Sequence, residues 1–125
     1  MPPHSRTLGD LLDEMARARP DADAVIFGEQ RLTYGTLQAR ADELARALLA
    51  VGVRKGDRVA VLLPNRPEWL VAAFAIGKVG AITVGVSTFS APREIAWTIE
   101  HCRPAVIITM EAFRGRSYLD PLYAA

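Results

Sequence analysis

The chain predicts an α/β domain built on a mostly parallel sheet with helices on both faces, and three observations predict it. Three apolar runs, "RVAVLLP", "AITVGV" and "PAVIITM", show no alternation with polar residues. A strand with one wet face alternates, so runs of this kind belong to strands covered on both sides. The segments between the runs carry helix signals, which gives the order βαβαβ, a parallel sheet with crossover helices. A helix and a β-hairpin are expected to precede this unit.

Each element has its own signature. Thr7 is a plausible N-cap with Asp10 in the capping-box position, Leu8, Leu11, Leu12 and Met15 follow at helical spacing, and Pro20 stops the pattern. "AVIF", Ala24 to Phe27, and "RLTY", Arg31 to Tyr34, read as strands joined by the three-residue loop "GEQ", where Gly28 suits a hairpin. In the next segment Leu37, Ala41, Leu44, Ala45 and Leu48 share one helix face, and Gln38, Arg40, Asp42, Glu43 and Arg46 fall away from it. Gly52 is the expected C-cap, and Lys55-Gly56-Asp57 is the polar turn into the first apolar run. Asn65 is expected to cap a helix opening "RPEW", with Pro67 in its first turn. "WLVAAFAIGKVG" is apolar nearly all round, the mark of a buried helix. "AITVGV", Ala81 to Val86, is the next strand, Ser90 is expected to cap "APREIAWTIEH", and "PAVIITM", Pro104 to Met110, is the third run. The tail "SYLDPLYAA" reads as the start of a further helix or loop.

Composition narrows the function classes. With 50% hydrophobic and 23% charged residues the 125 residues suit one globular domain. The net charge is +1 and no stretch gathers Lys and Arg, so nucleic acid is not expected as a partner. Cys102 is the single cysteine, which excludes an internal disulfide framework and fits a reducing, cytoplasmic compartment. "MPPHSRTLGD" lacks a signal-peptide core, and no apolar run reaches the roughly 18 residues of a membrane span.

A site in such a sheet is expected outside the carboxyl ends of the strands, at "LLPN", "GVSTFS" and "ITMEA". The chemistry there is thin. "IGKVG", Ile76 to Gly80, has the Gly-Lys of a phosphate loop, but Val79 stands where the hydroxyl belongs and the upstream glycine is missing, so a helix end is the better reading. "GVSTF" supplies Gly85 and Ser87 of a nucleophile elbow but ends in Phe89, which leaves Ser87 as a turn residue. His101 and Cys102 are neighbours on a helix and do not face each other; a packed inert thiol and a histidine at a helix C-terminus account for them. With His4 near the terminus, no zinc set forms. Asp57, Glu68, Glu94 and Glu100 have local turn, first-turn or surface roles, and Trp69 and Trp97 read as packing residues. No catalytic, cofactor-binding or metal residue is expected in this chain.

The wording of the sequence adds more. From "LTY" before a long helix, through "GDRVAVLLPN" and "KVGAI", to "PREIAWTIEH" and "PAVIIT", the chain resembles the N-terminal subdomain of AMP-forming acyl-CoA synthetases, of the adenylate-forming superfamily, over Thr7 to Thr109. The superfamily's peptide-synthetase branch usually carries "PLDP.YP" where this chain has "GVSTFSAPRE", which favours a free-standing acyl- or aryl-CoA ligase. The family commonly has an acid at the position of Thr36, so a full capping box from Thr33 is not expected. The resemblance implies a single partial domain over residues 1–125 and a two-step ligase using ATP, CoA and Mg with a carboxylic acid substrate, in fatty or aromatic acid metabolism. The family's phosphate loop, adenine-contacting segment, ribose-binding Asp and catalytic Lys match no position here. The piece is therefore expected to be inactive alone and to bind none of these cofactors tightly.

Two other expectations follow. The alternative to a ligase fragment is a stand-alone flavodoxin-like binding domain. Trp69, Phe74 and Ile76 are expected to present an apolar face, covered by self-association or by a partner carrying the missing half.

Overall fold

The computed structural model describes residues 6–124, so His4 lies outside the described residues. Helix α1 (Leu8–Ala18) leads into the antiparallel pair β1 (Asp23–Phe27) and β2 (Gln30–Thr33), followed by α2 (Tyr34–Ala50). Then β3 (Arg58–Leu62), α3 (Pro67–Lys78), β4 (Ile82–Gly85), α4 (Pro92–Cys102) and β5 (Val106–Thr109) follow in the expected βαβαβ order. The sheet order is β4-β3-β5 and both pairings are parallel. A short hairpin, β6 (Ala112–Phe113) with β7 (Arg116–Ser117), and α5 (Leu119–Ala124) close the described residues.

The seamless apolar text of β3 now has its reason. Val59, Val61 and Leu63 pack with Ala45, Leu48, Ala72, Ala75 and Ile76 of α2 and α3. Ala60 and Leu62 pack on the other face with Val86, Ile95 and Tyr118. Alternate residues of a strand point to opposite faces, and here both faces are apolar. Coverage is complete only on β3, however: Val106 and Ile108 of β5 pack against the first of these clusters and Ile107 against the second, each only half-buried. Each of β4 and β5 has a single neighbour, so β5 is half-buried throughout and Ile82 of β4 is 51% exposed.

Helix ends are set by local chemistry. The Thr7 hydroxyl accepts from the Asp10 N–H (3.1 Å), and Thr33 does the same for Thr36 (3.1 Å), half of a capping box without the acid's return bond. At the end of α2, Gly52 N–H donates to Leu49 and Val53 N–H to Leu48; at the end of α3, Gly80 donates to Gly77 and Ala81 to Ile76. These are paired Schellman closures, with φ of +96° at Gly52 and +75° at Gly80.

Several expectations need correction. Arg66, not Asn65, stands at the N-cap of α3 and supplies no side-chain cap bond; its guanidinium turns instead to Glu68 (2.7 Å). Ala91, not Ser90, precedes α4, and the Glu94 carboxylate reaches back to the Ala91 N–H (2.7 Å). That bond needs only the acid, so the cap residue can be any that reaches the extended conformation. The β1–β2 turn has two residues, since Phe27 pairs Gln30. On α1 the buried line is Gly9, Leu12 and Ala16, and Leu8 is 58% exposed. Small residues let α1 approach α3 closely: a Cβ at Gly9 would stand 2.8 Å from Cγ of Lys78. The face of α3 carrying Ile76 is not open either. Ile76 is fully buried, Trp69 packs beside it, and Phe74 packs where α1 meets α2 and α3.

Candidate functional site

The carboxyl ends of β3 and β4 open on a cleft of about 600 Å³. Leu63, Pro64 and Asn65 form one side of it and Gly85 through Phe89 the other, with Trp69 and Phe27 as aromatic walls. The Trp69 ring lies along β4, 3.6 Å from where a Cβ on Gly85 would stand, an ordinary van der Waals distance. A second cleft of about 640 Å³ lies at the end of β5, between Leu63, Arg66, Glu68 and Met110 on one side and Arg40 of α2 on the other. The sequence placed "LLPN", "GVSTFS" and "ITMEA" at one site; the structure gives the first two to one cleft and the third to another. The first turn of α3 is the wedge between them, with Trp69 facing the first cleft and Arg66 and Glu68 facing the second.

The second cleft has a polar lip over an apolar floor. Burial acts most strongly on Glu68 and pushes its pKa up. Its own backbone N–H and the Arg66 guanidinium together outweigh that and hold it below the ordinary 4.5. Arg66 also approaches the Met110 sulfur at 3.7 Å.

The other residues singled out by sequence fall outside a reacting constellation. Ser87 Oγ accepts from the Phe89 N–H (3.1 Å), a turn role. His101 stacks flat on Trp97, ring centroids 4.8 Å apart at 8°, and Cys102 is a half-buried free thiol. Trp97 is not a core residue: it is 62% exposed. The buried line of α4 runs through Ile95 and Ile99, and a residue two positions from either falls on the far side of the helix.

One cluster escaped the sequence reading. Lys78 Nζ lies 2.6 Å from Asp13 Oδ1 of α1 and 2.6 Å from Asp42 Oδ1 of α2, and Gln38 donates to Asp13 at 2.8 Å. Burial pulls the Lys78 pKa down most strongly, yet the bonds and charges of the two acids hold it above the ordinary 10.5. The Gln38 amide, then the Lys78 ammonium, hold Asp13 below the ordinary 3.8. The signal was a lone lysine late in an otherwise apolar helix, read only as half of a phosphate-loop pair. The glycines beside it close α3 rather than open a helix, so "IGKVG" is the helix end the sequence favoured.

A three-stranded parallel sheet, helices on both faces and an amino-terminal helix and hairpin docked on one of them match the N-terminal subdomain of adenylate-forming ligases. The solved N-terminal subdomain of Klebsiella oxytoca NpsA superposes with a TM-score of 0.80 at 28% identity, covering 87% of this chain and 29% of that one. The family model for AMP-binding enzymes matches residues 12–122, and the chain belongs to that family. Triostin synthetase I of Streptomyces triostinicus is 39% identical over 115 residues, 92% of this chain and 22% of that protein. Long-chain-fatty-acid–CoA ligase of Bacillus subtilis (strain 168) is 32% identical over 111 residues, 89% of this chain and 20% of that protein. The chain thus spans about a fifth of the length of these two relatives.

Proposed function

We propose that these residues are the amino-terminal portion, a single partial domain over 1–125, of an ATP-dependent acid–CoA ligase. Such an enzyme joins a fatty or aromatic carboxylic acid to AMP, releasing pyrophosphate, and then transfers the acyl group to the CoA thiol. The observation that carries the reading is the family match over 12–122, with an acid–CoA ligase among the relatives. The "GVSTFSAPRE" text at the first cleft supports a CoA ligase over a peptide synthetase. Residues 1–125 take the role of scaffold in this reading and supply no catalytic, nucleotide-binding or metal-binding group. In support, Lys78, in the Gly-Lys pair of "IGKVG", is committed to Asp13 and Asp42, and its glycines face a helix end. In this reading ATP, CoA and Mg are cofactors of the whole ligase, and no step is assigned to these side chains. A ligase drawing on ATP and CoA is expected in the cytoplasm. Among the described residues no helix is long and apolar enough to cross a membrane.

The test has two arms. Residues 1–125, purified and supplied with ATP, Mg, CoA and a panel of fatty and aromatic acids, release no pyrophosphate above background. Where the reading frame continues past codon 125, the longer product releases pyrophosphate with at least one of these acids and forms its thioester. Release by the short chain overturns the scaffold role. A longer product silent toward every acid overturns the ligase reading.

A further inference from the structure

The loop between β4 and α4, residues 87–91, forms one lip of the first cleft, and little within it explains its shape. Its internal bonds are Ser90 N–H to the Ser87 carbonyl (3.1 Å) and Phe89 N–H to Ser87 Oγ (3.1 Å). Phe89, at its crest, is 92% exposed, so no core contact holds the loop there. The holding group comes from a distant part of the chain. Arg116 on β7 donates from Nη1 to the Thr88 carbonyl (2.6 Å) and from Nη2 to the Ser90 carbonyl. Two N–H groups of one planar fork thus engage carbonyls two residues apart, a geometry that a lysine ammonium cannot reproduce.

The fork itself stands on firm ground. Tyr118, two residues on, is 4% exposed and packs with Ala60, Leu62, Val86 and Ile95, and its N–H donates to the Glu111 carbonyl (2.9 Å). Ser117 Oγ accepts from the Asp120 N–H (3.2 Å) at the start of α5. The β6–β7 turn is tight, with φ of +52° at Arg114 and +74° at Gly115. The hairpin is therefore rooted in the sheet's second face, and Arg116 transmits that anchorage to the loop.

We propose that Arg116 is a positioning residue that fixes the 87–91 loop, and with it the shape of the cleft at the carboxyl ends of β3 and β4. The loop's conformation is set from the β6–β7 hairpin, and the cleft is only as well formed as that link. The inference rests on this geometry and holds whichever ligand the cleft takes.

Amide hydrogen exchange on the 125-residue chain decides it, with R116Q and R116K beside the parent. R116Q is expected to speed exchange at Phe89 and Ser90 by roughly tenfold or more, the loss of charge-assisted bonds to a loop otherwise tied by its own two turn bonds and by Glu94 at Ala91. Exchange at Val59 to Leu62 of β3 stays with the parent. R116K keeps the charge and one bond at most and is expected to fall between the two. Loop exchange unchanged in R116Q overturns the proposal, as does a uniform rise in which β3 accelerates with the loop. Should R116Q fail to fold, R116K decides alone: loop-confined acceleration supports the link, and parent-like loop exchange overturns it.

Discussion

The two sides of this molecule are finished to different degrees. On the side of α1, α2 and α3, side chains such as Ala41, Ala72, Ala75 and Ile76 are at 0% exposure, and the partly buried Lys78 there has two carboxylates for partners. On the side of β4, α4 and the 87–91 loop, Ile82 is 51%, Trp97 62% and Phe89 92% exposed, although Leu8 at 58% and Leu49 at 57% are also open on the outer surface of the first side. Apolar pattern alone does not separate the two sides; what differs is the number of elements converging on each. α3 has the sheet beneath it and two helices against it, whereas β4 pairs with one strand only. The largest expected effect therefore lies on the finished side. Ile76→Ala removes a fully buried side chain from three packed layers and should cost about 2–5 kcal/mol in urea unfolding. A loss under ~1 kcal/mol would mean that the layers relax around the gap and that this side is not close-packed.

The polar tie should come next. Lys78→Met keeps the bulk of the stem and removes the charge between Asp13 and Asp42, whose side chains are 34% and 38% exposed. Removing one partner of a fully buried pair costs about 3–5 kcal/mol, and an exposed pair is worth under about 1 kcal/mol. A site with one shielded partner and two wetted ones falls between, at roughly 1–2 kcal/mol. The pH dependence has a definite sign. Asp13 is held below its ordinary 3.8 when folded, so its contribution is present above that value and is lost as pH falls through the lower folded pKa. Lys78 is held above 10.5, so its contribution is complete below that value and is lost as pH rises through the higher folded pKa. The stability gap between parent and Lys78→Met should be flat through the neutral range and narrow below about pH 4. A gap that changes between about pH 5 and 9 would show that another group governs the tie.

How far the sequence carried follows the same division. Period and caps are local, so the βαβαβ order, the Thr7 cap and the closures at Gly52 and Gly80 could all be read from the text, whereas Thr33, read within a strand ending at Tyr34, caps α2. The misplaced caps at Asn65 and Ser90 have different causes: α4 is capped from within by Glu94, whose carboxylate reaches back to the Ala91 N–H, whereas α3 has Arg66 at its N-cap with no side-chain cap bond at all. The partners of Lys78 are 65 and 36 residues away in the chain, and no local pattern names them. The β6–β7 hairpin was missed because two-residue strands show no period, although Gly115, which the structure places at φ +74°, was a local turn cue. Of the candidate site, the sequence placed the strand ends correctly but not their division into two clefts, since the wedge is made by where α3 begins in space.

The helix closures offer a finer contrast at similar local geometry. Gly80→Ala places a Cβ at φ +75° and 3.1 Å from Lys55 Cγ, whereas Gly52→Ala meets nothing within 4 Å and carries only its φ of +96°. Both should cost about 1 kcal/mol through the left-handed backbone. Gly80→Ala should exceed Gly52→Ala by a few tenths, because the lysine stem is flexible and yields. Equal costs in paired thermal melts would show that Lys55 moves away freely. A larger cost at Gly52 would mean that the backbone, not the neighbour, ranks the two closures.

The smallest effect is expected on the unfinished side. Trp97 buries little, and its stacking on His101 is an exposed contact within one helix, so Trp97→Ala should change stability by no more than ~0.5 kcal/mol. Helix propensity offsets part of that small loss, since alanine is the better helix former. If Trp97 joins Phe89 and Ile82 in an apolar surface that draws copies together, the same substitution should lower the apparent mass at high concentration in sedimentation while leaving the melting temperature in place. A drop in stability of more than ~1 kcal/mol would instead make Trp97 part of the fold's own packing. The two sides would then differ in exposure but not in how much each contributes to holding the chain together.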